Sequence, residues 1–222
     1  MSGKLIVFEG TDGSGKSTQF GQLCKMLEEC GTEFQKLVFP QYSEPSSALI
    51  RMYLGGEFGS HPSDVNAYAA SSFYAVDRYA SYKKVWGEYY EQGGLILSDR
   101  YTTSNAVHQA SKVPESEREE FFRWLTEFEN ERLGLPVPTK VIWLDMPIEQ
   151  AVANLRNREA ATNTKADIHE VDTGYLETCY ATAKQAAAYY GWHRIACLNE
   201  EGKLRPIEEI REEIWNVVKE VL

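Results

Sequence analysis

Short apolar runs alternate along the chain with longer stretches in which apolar residues recur every three or four positions. The runs lie at Leu5–Phe8, Phe34–Phe39, Leu95–Ser98, Val141–Leu144 and His193–Leu198. Runs of this length that are apolar almost throughout are typical of strands buried on both faces of a sheet. Strands that alternate with helices indicate a parallel sheet covered by helices. The pattern therefore predicts an α/β fold with five parallel strands.

The amphipathic stretches between the runs predict the helices, and glycines or prolines mark their ends. Helices are expected over residues 17–30, 45–55, 64–92, 102–112, 115–132, 147–158, 174–190 and 206–221. Residues 159–173 are polar and show no clear period, which predicts a mobile loop. Since no repeat or linker interrupts this order, we expect one domain over residues 1–222.

Composition excludes several classes of protein. With 43% hydrophobic and 25% charged residues, the chain is not disordered or of low complexity. A net charge of −10 argues against broad binding to nucleic acid or anionic membranes. The four cysteines form no C-x-x-C pair, so reduced thiols are expected. Because no apolar run approaches 18 residues and the first is too short for a signal peptide, we expect a cytoplasmic protein.

Residues 10–17, GTDGSGKS, match the phosphate-loop pattern G-x-x-x-x-G-K-[ST]. The match follows a predicted strand and opens a predicted helix, as phosphate binding requires. Glycines let backbone N–H groups turn towards phosphate oxygens, Lys16 reaches the β- and γ-phosphates, and the Ser17 hydroxyl holds Mg²⁺. The chain has no NKxD element, which argues against a GTPase. The predicted ATP-binding residues are Gly10, Asp12, Gly13, Ser14, Gly15, Lys16, Ser17 and Thr18.

Asp99 and Arg100 follow the third predicted strand directly. Ligands of such sheets bind beyond the carboxyl ends of the strands. If this strand lies near the first, the pair faces the same crevice as the phosphate loop. The pair then supplies a carboxylate on the metal side and a cation for phosphate; the alternative is an internal salt bridge that ties a loop.

Four segments in order resemble the thymidylate kinase family. They are FEGTDGSGKSTQ at residues 8–19, FPQYSEPS at 39–46, AVDR at 75–78 and SDRYTTSNA at 98–106. The resemblance implies a P-loop kinase fold: three layers, a five-stranded parallel sheet flanked by helices, and a short lid. It further implies transfer of a phosphoryl group from ATP to dTMP with Mg²⁺, and a homodimer formed through helices that flank the sheet.

The resemblance also implies roles by position. Asp12 falls where the family has an acid that reaches the acceptor's 3′-hydroxyl, and Arg100 where an arginine grips the acceptor phosphate. Asp99 matches the acid near the metal, and Asn105 falls where some members place an asparagine at the base. Arg78 matches the arginine that hydrogen-bonds thymine, and an arginine, which is a donor only, suits a carbonyl oxygen such as thymine O4.

The sequence departs from the family at the acceptor site. A family phenylalanine that stacks on thymine is replaced by Tyr74, with Phe73 one residue earlier, and the i to i+4 spacing to the base-reading arginine favours Tyr74. Tyr42 stands where many members have a phosphate-binding arginine, and Arg51 is either its replacement or a solvated helix arginine. His108 replaces a tyrosine that blocks a 2′-hydroxyl, which leaves deoxyribose selectivity open.

The lid is expected at about residues 156–173. Gly13 occupies the place of a catalytic arginine found in one subgroup, and in the other subgroup that arginine lies in the lid. Arg158 is the first candidate here, ahead of Arg156 and Lys165. A kinase for another nucleoside monophosphate, or a nucleotide-binding switch without turnover, remains the competing hypothesis.

Overall fold

The computed structural model describes residues 2–162 and 173–222, with side chains for residues 2–156 and 174–222. Five parallel strands form one sheet in the order β2-β3-β1-β4-β5. They are β1 (Lys4–Glu9), β2 (Gln35–Val38), β3 (Leu95–Asp99), β4 (Lys140–Asp145) and β5 (His193–Ala196). The predicted α/β fold with a five-stranded parallel sheet is confirmed.

Helices connect the strands and cover both faces of the sheet. They are α1 (Lys16–Glu29), α2 (Ala48–Leu54), α3 (Ala67–Ser81), α4 (Gly87–Glu91), α5 (Thr102–Ser104), α6 (Arg118–Thr126), α7 (Ile148–Thr162), α8 (Thr173–Tyr190) and α9 (Ile207–Lys219). Turns of π-helix follow α3, α5 and α6, at Tyr82–Trp86, Asn105–Gln109 and Glu127–Arg132.

Burial explains which runs are apolar throughout. In the three central strands every residue after the first of β1 and β4, and every residue of β3, is buried. The outer strands β2 and β5 each have one buried residue in four. Side chains alternate between the two faces of a strand, so Leu5 and Val7 enter one core while Ile6 and Phe8 enter the other.

Each core has its own set of helices. Ile6 and Phe8 pack with α1 and α9, among others through Leu23 and Ile214. The opposite face is covered by the chain from α3 to α6 and by α8, with Trp86, Phe121 and Cys179 fully buried. The result is a three-layer arrangement in which the carboxyl ends of β1 and β3 lie side by side.

Two predicted boundaries are wrong. Helix α7 continues to Thr162, and α8 begins at Thr173, so residues 159–162 are not the loop that was expected there. The segment contains Glu159, Ala160 and Ala161, which have high helix propensity. Strand β5 ends at Ala196, and Leu198 instead forms an isolated antiparallel bridge with Leu204. In the part of the chain that the structure describes, no helix is long and apolar enough to cross a bilayer.

Candidate active site

A cavity of about 260 Å³ opens beyond the carboxyl ends of β1 and β3. Strand β1 leads into the phosphate loop, and Phe8 of β1 lies opposite Asp99 of β3. The sheet order therefore brings the two sequence motifs to one place. Predicted site residues that line the cavity are Asp12, Tyr42, Tyr74, Arg78, Asp99, Arg100, Asn105 and His108.

The phosphate loop has the backbone that its glycines predict. Gly10, Gly13 and Gly15 all have positive φ, a region that residues with a Cβ rarely adopt. A Cβ on Gly13 would lie 2.1 Å from the carbonyl oxygen of Ala151, at the start of α7. That helix also holds the loop directly, because Asn154 donates a hydrogen bond to the Gly13 carbonyl at 2.8 Å. Close packing against α7 explains why an arginine does not fit at position 13.

Lys16 is buried beneath the loop. Its Nζ donates to the carbonyl oxygens of Gly10 and Thr11 at 2.8 and 3.4 Å. Burial, and then the nearby charge of Arg100, lower the pKa of Lys16. Ser17 and Thr18 are exposed in the first turn of α1, and the hydroxyls of Thr11 and Ser14 are buried without a hydrogen-bond partner. A lysine and spare hydroxyl groups at a helix N-terminus suit a phosphate group.

Arg100 has a backbone φ of 67°, the one positive value at a non-glycine residue among the described residues. Its backbone N–H donates to the Phe8 carbonyl at 3.0 Å, which ties it to β1. The guanidinium pairs with Asp12 and donates to His108 Nε2 at 3.2 Å. Burial disfavours its charge, but Asp12, Glu9 and Asp99 outweigh burial and raise the pKa of Arg100. A non-glycine residue held in this conformation is typical of functional sites.

Glu9 was not predicted as a site residue, and it connects the loop to the arginine. It is fully buried at the end of β1. Its carboxylate accepts from the Gly10 N–H at 2.9 Å and from the hydroxyls of Thr103 and Ser104 at 2.7 Å each. One oxygen lies 3.7 Å from Arg100 Nη1. In sequence, Glu9 is visible only as a charge that interrupts an apolar run.

Asp99 is 8% exposed, and its Oδ1 is buried without a hydrogen-bond partner. A buried, unpaired carboxylate oxygen beside the phosphate loop suits a cation. No group of three or more His, Cys, Asp or Glu side chains in the described part of the chain is arranged to hold a metal. The unpaired oxygen of Asp99 fits Mg²⁺, which is usually held by one or two protein oxygens together with substrate phosphates.

At the other end of the cavity, Arg78 is almost fully buried and paired with Glu129. Its Nε and Nη2 each donate to one oxygen of the Glu129 carboxylate at 2.7 Å. A third N–H donates to the Tyr101 carbonyl at 3.2 Å. Glu129 is fully buried in the π-helical turn after α6, and it was not predicted from the sequence.

Asn105 and Gln109 place two carboxamides in this end of the cavity. Asn105 Nδ2 donates to Glu129 at 2.8 Å and to the Ser71 carbonyl at 3.2 Å. Gln109 is 1% exposed, and its Oε1 is buried without a partner. Sequence analysis missed Gln109, although it lies one turn beyond Asn105 in the same helical segment. A buried acceptor with no partner in a cavity indicates a site for a ligand N–H.

His108 lies between the arginine and α8. Because Arg100 can only donate, His108 Nε2 accepts this hydrogen bond and therefore carries no proton. Its Nδ1 lies 3.6 Å from the thiol sulfur of Cys179, and burial raises the pKa of that thiol to about 12. The tautomer that satisfies both contacts has its proton on Nδ1. The residue thus joins the strand end that carries the arginine to the helix across the core.

Two of the residues predicted for the acceptor site, Arg51 and Phe73, lie outside the cavity lining. Arg51 is exposed, and its Nη1 donates to the carbonyls of Tyr42 and Glu44 and to the Ser47 hydroxyl. It supports the loop that carries Tyr42, whose side chain lines the cavity and is 51% exposed. Phe73 packs against Phe58 with ring centroids 5.9 Å apart. The predicted lid cations Arg158 and Lys165 lie outside the described side chains.

Comparisons with known proteins agree on one family. A family model described as thymidylate kinase matches residues 8–201. Thymidylate kinase of Mycobacterium tuberculosis (strain H37Rv) is 32% identical over 190 residues, 85% of this chain and 87% of that protein. Thymidylate kinase of Prochlorococcus marinus (strain NATL2A) is 26% identical over 224 residues, 99% of each chain. The structure of thymidylate kinase from Candida albicans superposes with a TM-score of 0.71 at 18% identity, covering 98% of this chain and 92% of that one; at that identity the likeness shows the fold.

Proposed function

The chain belongs to the thymidylate kinase family, and we propose that its cavity is where dTMP accepts the γ-phosphoryl group of ATP. The protein is a phosphotransferase that converts ATP and dTMP into ADP and dTDP. We further propose which residues carry out each step of this reaction.

One observation carries the assignment: a buried lysine and a half-buried arginine converge on one carboxylate. Lys16 Nζ lies 3.9 Å from Asp12 Oδ1, and Arg100 Nη2 donates to the same oxygen. The lysine belongs to the phosphate loop, and the arginine lines the cavity. Phosphoryl transfer mainly requires that two mutually repelling phosphates be held in line and their charge neutralised. Two cations that share one carboxylate, one cation for each phosphate, meet that requirement.

The acceptor needs no strong general base. A phosphate monoester has a second pKa near ~6 and is mostly dianionic at neutral pH. Lys16 binds the donor phosphates and Arg100 the acceptor phosphate. Asp12 orients both cations and reaches the acceptor's 3′-hydroxyl, while Glu9 holds the loop and the arginine together. Ser17 and Asp99 would hold Mg²⁺, which neutralises charge on the phosphates of ATP when bound.

The base lies at the Arg78 end of the cavity. Arg78 donates to thymine O4, and the carboxamides of Asn105 and Gln109 supply acceptors for the N3–H group. Tyr74 stacks on the ring, since it lines the cavity and Phe73 does not. This assignment rests on the buried, unpaired Oε1 of Gln109 and on the side of the helix that Tyr74 occupies.

The sugar lies between the two ends, beside His108 and Tyr42. His108 occupies space next to the arginine that binds phosphate, so it limits the room for a 2′-hydroxyl. Arg51 keeps the Tyr42 loop in place rather than contacting phosphate. Arg158 is the proposed lid cation. We also propose a homodimer formed through α3, and a cytoplasmic protein, in keeping with its four free cysteines.

ADP release from ATP and Mg²⁺ tests the function. The acceptors are dTMP, UMP, dUMP, dCMP, dGMP and dAMP, with a blank that contains no acceptor. We expect strong turnover with dTMP, weaker turnover with dUMP, and background with dCMP and the purine nucleotides. Turnover with UMP equal to that with dTMP would contradict the sugar assignment and leave the kinase reaction intact. Background hydrolysis in every reaction would favour the nucleotide-binding switch instead.

A further inference from the structure

Glu129 joins two base-facing residues that come from different elements. It lies in the π-helical turn Glu127–Arg132, is fully buried, and pairs with Arg78 through both carboxylate oxygens at 2.7 Å. One of those oxygens also accepts from Asn105 Nδ2 at 2.8 Å. The carboxylate itself does not line the cavity. It therefore acts on the cavity only through the two residues that it holds.

The hydrogen bonds to Glu129 determine which groups are left for a ligand. A guanidinium has five N–H groups, and three of those on Arg78 go to Glu129 and to the Tyr101 carbonyl. Two N–H groups remain. Asn105 has two N–H groups, and both are used, one by Glu129 and one by the Ser71 carbonyl. The amide of Asn105 is thus oriented so that its oxygen is left to accept.

We propose that Glu129 is a positioning residue that sets the hydrogen-bonding polarity of the acceptor-base pocket. By taking N–H groups from both neighbours, it leaves a donor on Arg78 and an acceptor on Asn105. This inference rests on the proposed function, because it concerns the base of the same nucleotide acceptor. It assigns selectivity to a carboxylate that never touches the substrate.

A donor on Arg78 and an acceptor on Asn105 match the hydrogen-bonding groups of thymine and do not match those of cytosine. Thymine and uracil present a carbonyl oxygen at position 4 beside an N3–H donor. Cytosine presents an amino donor at position 4 beside an N3 acceptor. A pocket with a fixed donor and a fixed acceptor meets the first pattern and leaves like groups facing each other in the second. Buried polar groups that are left unpaired are the strongest source of discrimination between isosteric ligands.

Glu129→Gln would remove this control over the hydrogen bonds of the pocket. A carboxamide has one acceptor oxygen where the carboxylate has two. Its NH₂ group faces an N–H of Arg78 whichever oxygen it replaces, and it also faces Asn105 Nδ2 when it replaces Oε1. Both of those neighbours present donors. When the NH₂ group replaces Oε1, a half-turn of the Asn105 amide removes the conflict with Asn105 and turns the Asn105 NH₂ group towards the ligand. The acceptor that Asn105 offers to N3–H is then lost, and a group that suits cytosine N3 takes its place.

The test compares Glu129→Gln with Glu131→Gln, an exposed glutamate in the same turn. The measurements are dissociation constants for dTMP and dCMP by calorimetry, and kcat and KM with dTMP, dUMP and ATP. We expect Glu129→Gln to weaken dTMP binding at least tenfold and to reduce the dTMP:dCMP affinity ratio at least tenfold. The KM for ATP and every property of Glu131→Gln should stay within about twofold of the unmodified enzyme.

Some results would overturn the proposal. An unchanged dTMP:dCMP ratio in Glu129→Gln would do so, and so would an equal loss of affinity for both nucleotides, which marks a purely structural residue. If Glu129→Gln does not fold, Glu129→Asp replaces it. This variant keeps the charge but shortens the reach to Asn105, and its ratio should fall about threefold or more; an unchanged ratio there would refute the proposal equally. An unmodified enzyme that does not bind dTMP refutes the proposed function instead.

Discussion

Lys16 and Arg100 are the side chains on which the reaction depends most, because each must neutralise the charge of one of the two phosphates. We expect Lys16→Ala and Arg100→Ala each to lower kcat/KM for dTMP by more than about 100-fold. Removal of a transition-state cation costs about 3–4 kcal/mol, comparable to loss of an oxyanion donor. Steady-state kinetics at saturating Mg²⁺ measure the loss. Arg123→Ala, at an exposed arginine of α6, is the control; a loss under tenfold in either site variant would remove the role assigned to it.

His108 is expected to act through the hydrogen bond that it accepts from Arg100 at 3.2 Å. His108→Leu removes the acceptor, whereas His108→Gln keeps an oxygen near the position of Nε2. A hydrogen bond to a charged group contributes about 1.5–3 kcal/mol, so KM for dTMP should rise about tenfold or more in the leucine variant. The glutamine variant should stay within about threefold, with KM for ATP unchanged in both. Equal behaviour of the two variants would show that His108 only fills space.

The sequence predicts the position of a side chain well where local spacing determines that position. It predicts the position poorly where a distant partner determines it. Tyr74 and Arg78 are four residues apart on a helix, and both line the cavity as that spacing predicts; contact with a base stays a prediction for both. Arg51 turns instead to carbonyl oxygens of its own loop. Glu129 pairs with an arginine 51 residues away, and no local pattern distinguishes it from the exposed glutamates beside it.

The phosphate loop is the element that the sequence specifies most completely, because its requirements are local. Gly13→Ala tests the one requirement that depends on tertiary packing, namely the close contact between the loop and α7. Its Cβ would lie 2.1 Å from the Ala151 carbonyl oxygen, at a φ of 81°, so loop and α7 must separate. We expect kcat/KM to fall more than about 100-fold and the melting temperature to drop, as positive φ alone costs about 1–3 kcal/mol.

Gly21→Ala is the matched control for that substitution. Gly21 lies within α1, a few residues beyond the loop, and an added Cβ there meets nothing within 4 Å. Alanine in a helix interior is favoured over glycine by about 0.5–1 kcal/mol. The control should therefore retain activity and melt slightly higher, by circular dichroism. A Gly13→Ala enzyme with nearly full activity would show that α7 yields to the added methyl group.

Helices are predicted less completely than strands. The three central strands are apolar throughout because both faces of the sheet are covered. The long helical stretch at residues 64–92 is instead divided into α3, a π-helical turn and α4. A π-helical turn occurs as a single turn within a longer helical segment, so the apolar residues on either side of it still recur at helical spacing. Sequence periodicity therefore predicts that the segment is helical but does not reveal the π-turn.

The strand order brings two separate sequence motifs, the phosphate loop and the Asp99-Arg100 pair, together in one site. The sequence predicts that Arg100 faces the phosphate loop only if their strands are neighbours. The structure shows that β3 pairs with β1 over five residues, and that the Arg100 N–H bonds to Phe8. Nothing in either motif encodes this pairing. The crossover through α2 to α4 leads from β2 at the edge of the sheet to β3, which lies between β2 and β1.

Helix α3 presents an apolar face that the rest of the molecule leaves exposed. Val76 is 54% exposed and Tyr79 is 40% exposed, and Val85 in the following turn is 59% exposed. A cluster of exposed apolar side chains on one helix marks an interaction surface. We propose that this face meets its own copy in a two-fold symmetric dimer, in which one substitution acts twice.

Val76→Glu tests the dimer by placing two like charges at its centre. Light scattering should give about twice the chain mass of 25.2 kDa for the unmodified protein and about one chain mass for the variant. The control is Val137→Glu, at a valine that is 64% exposed in the loop before β4, and it should remain dimeric. Since burying an unpaired charge costs several kcal/mol, we expect the variant to be dissociated at micromolar concentration. An unmodified protein of one chain mass, or a dimeric Val76→Glu, would exclude α3 as the interface.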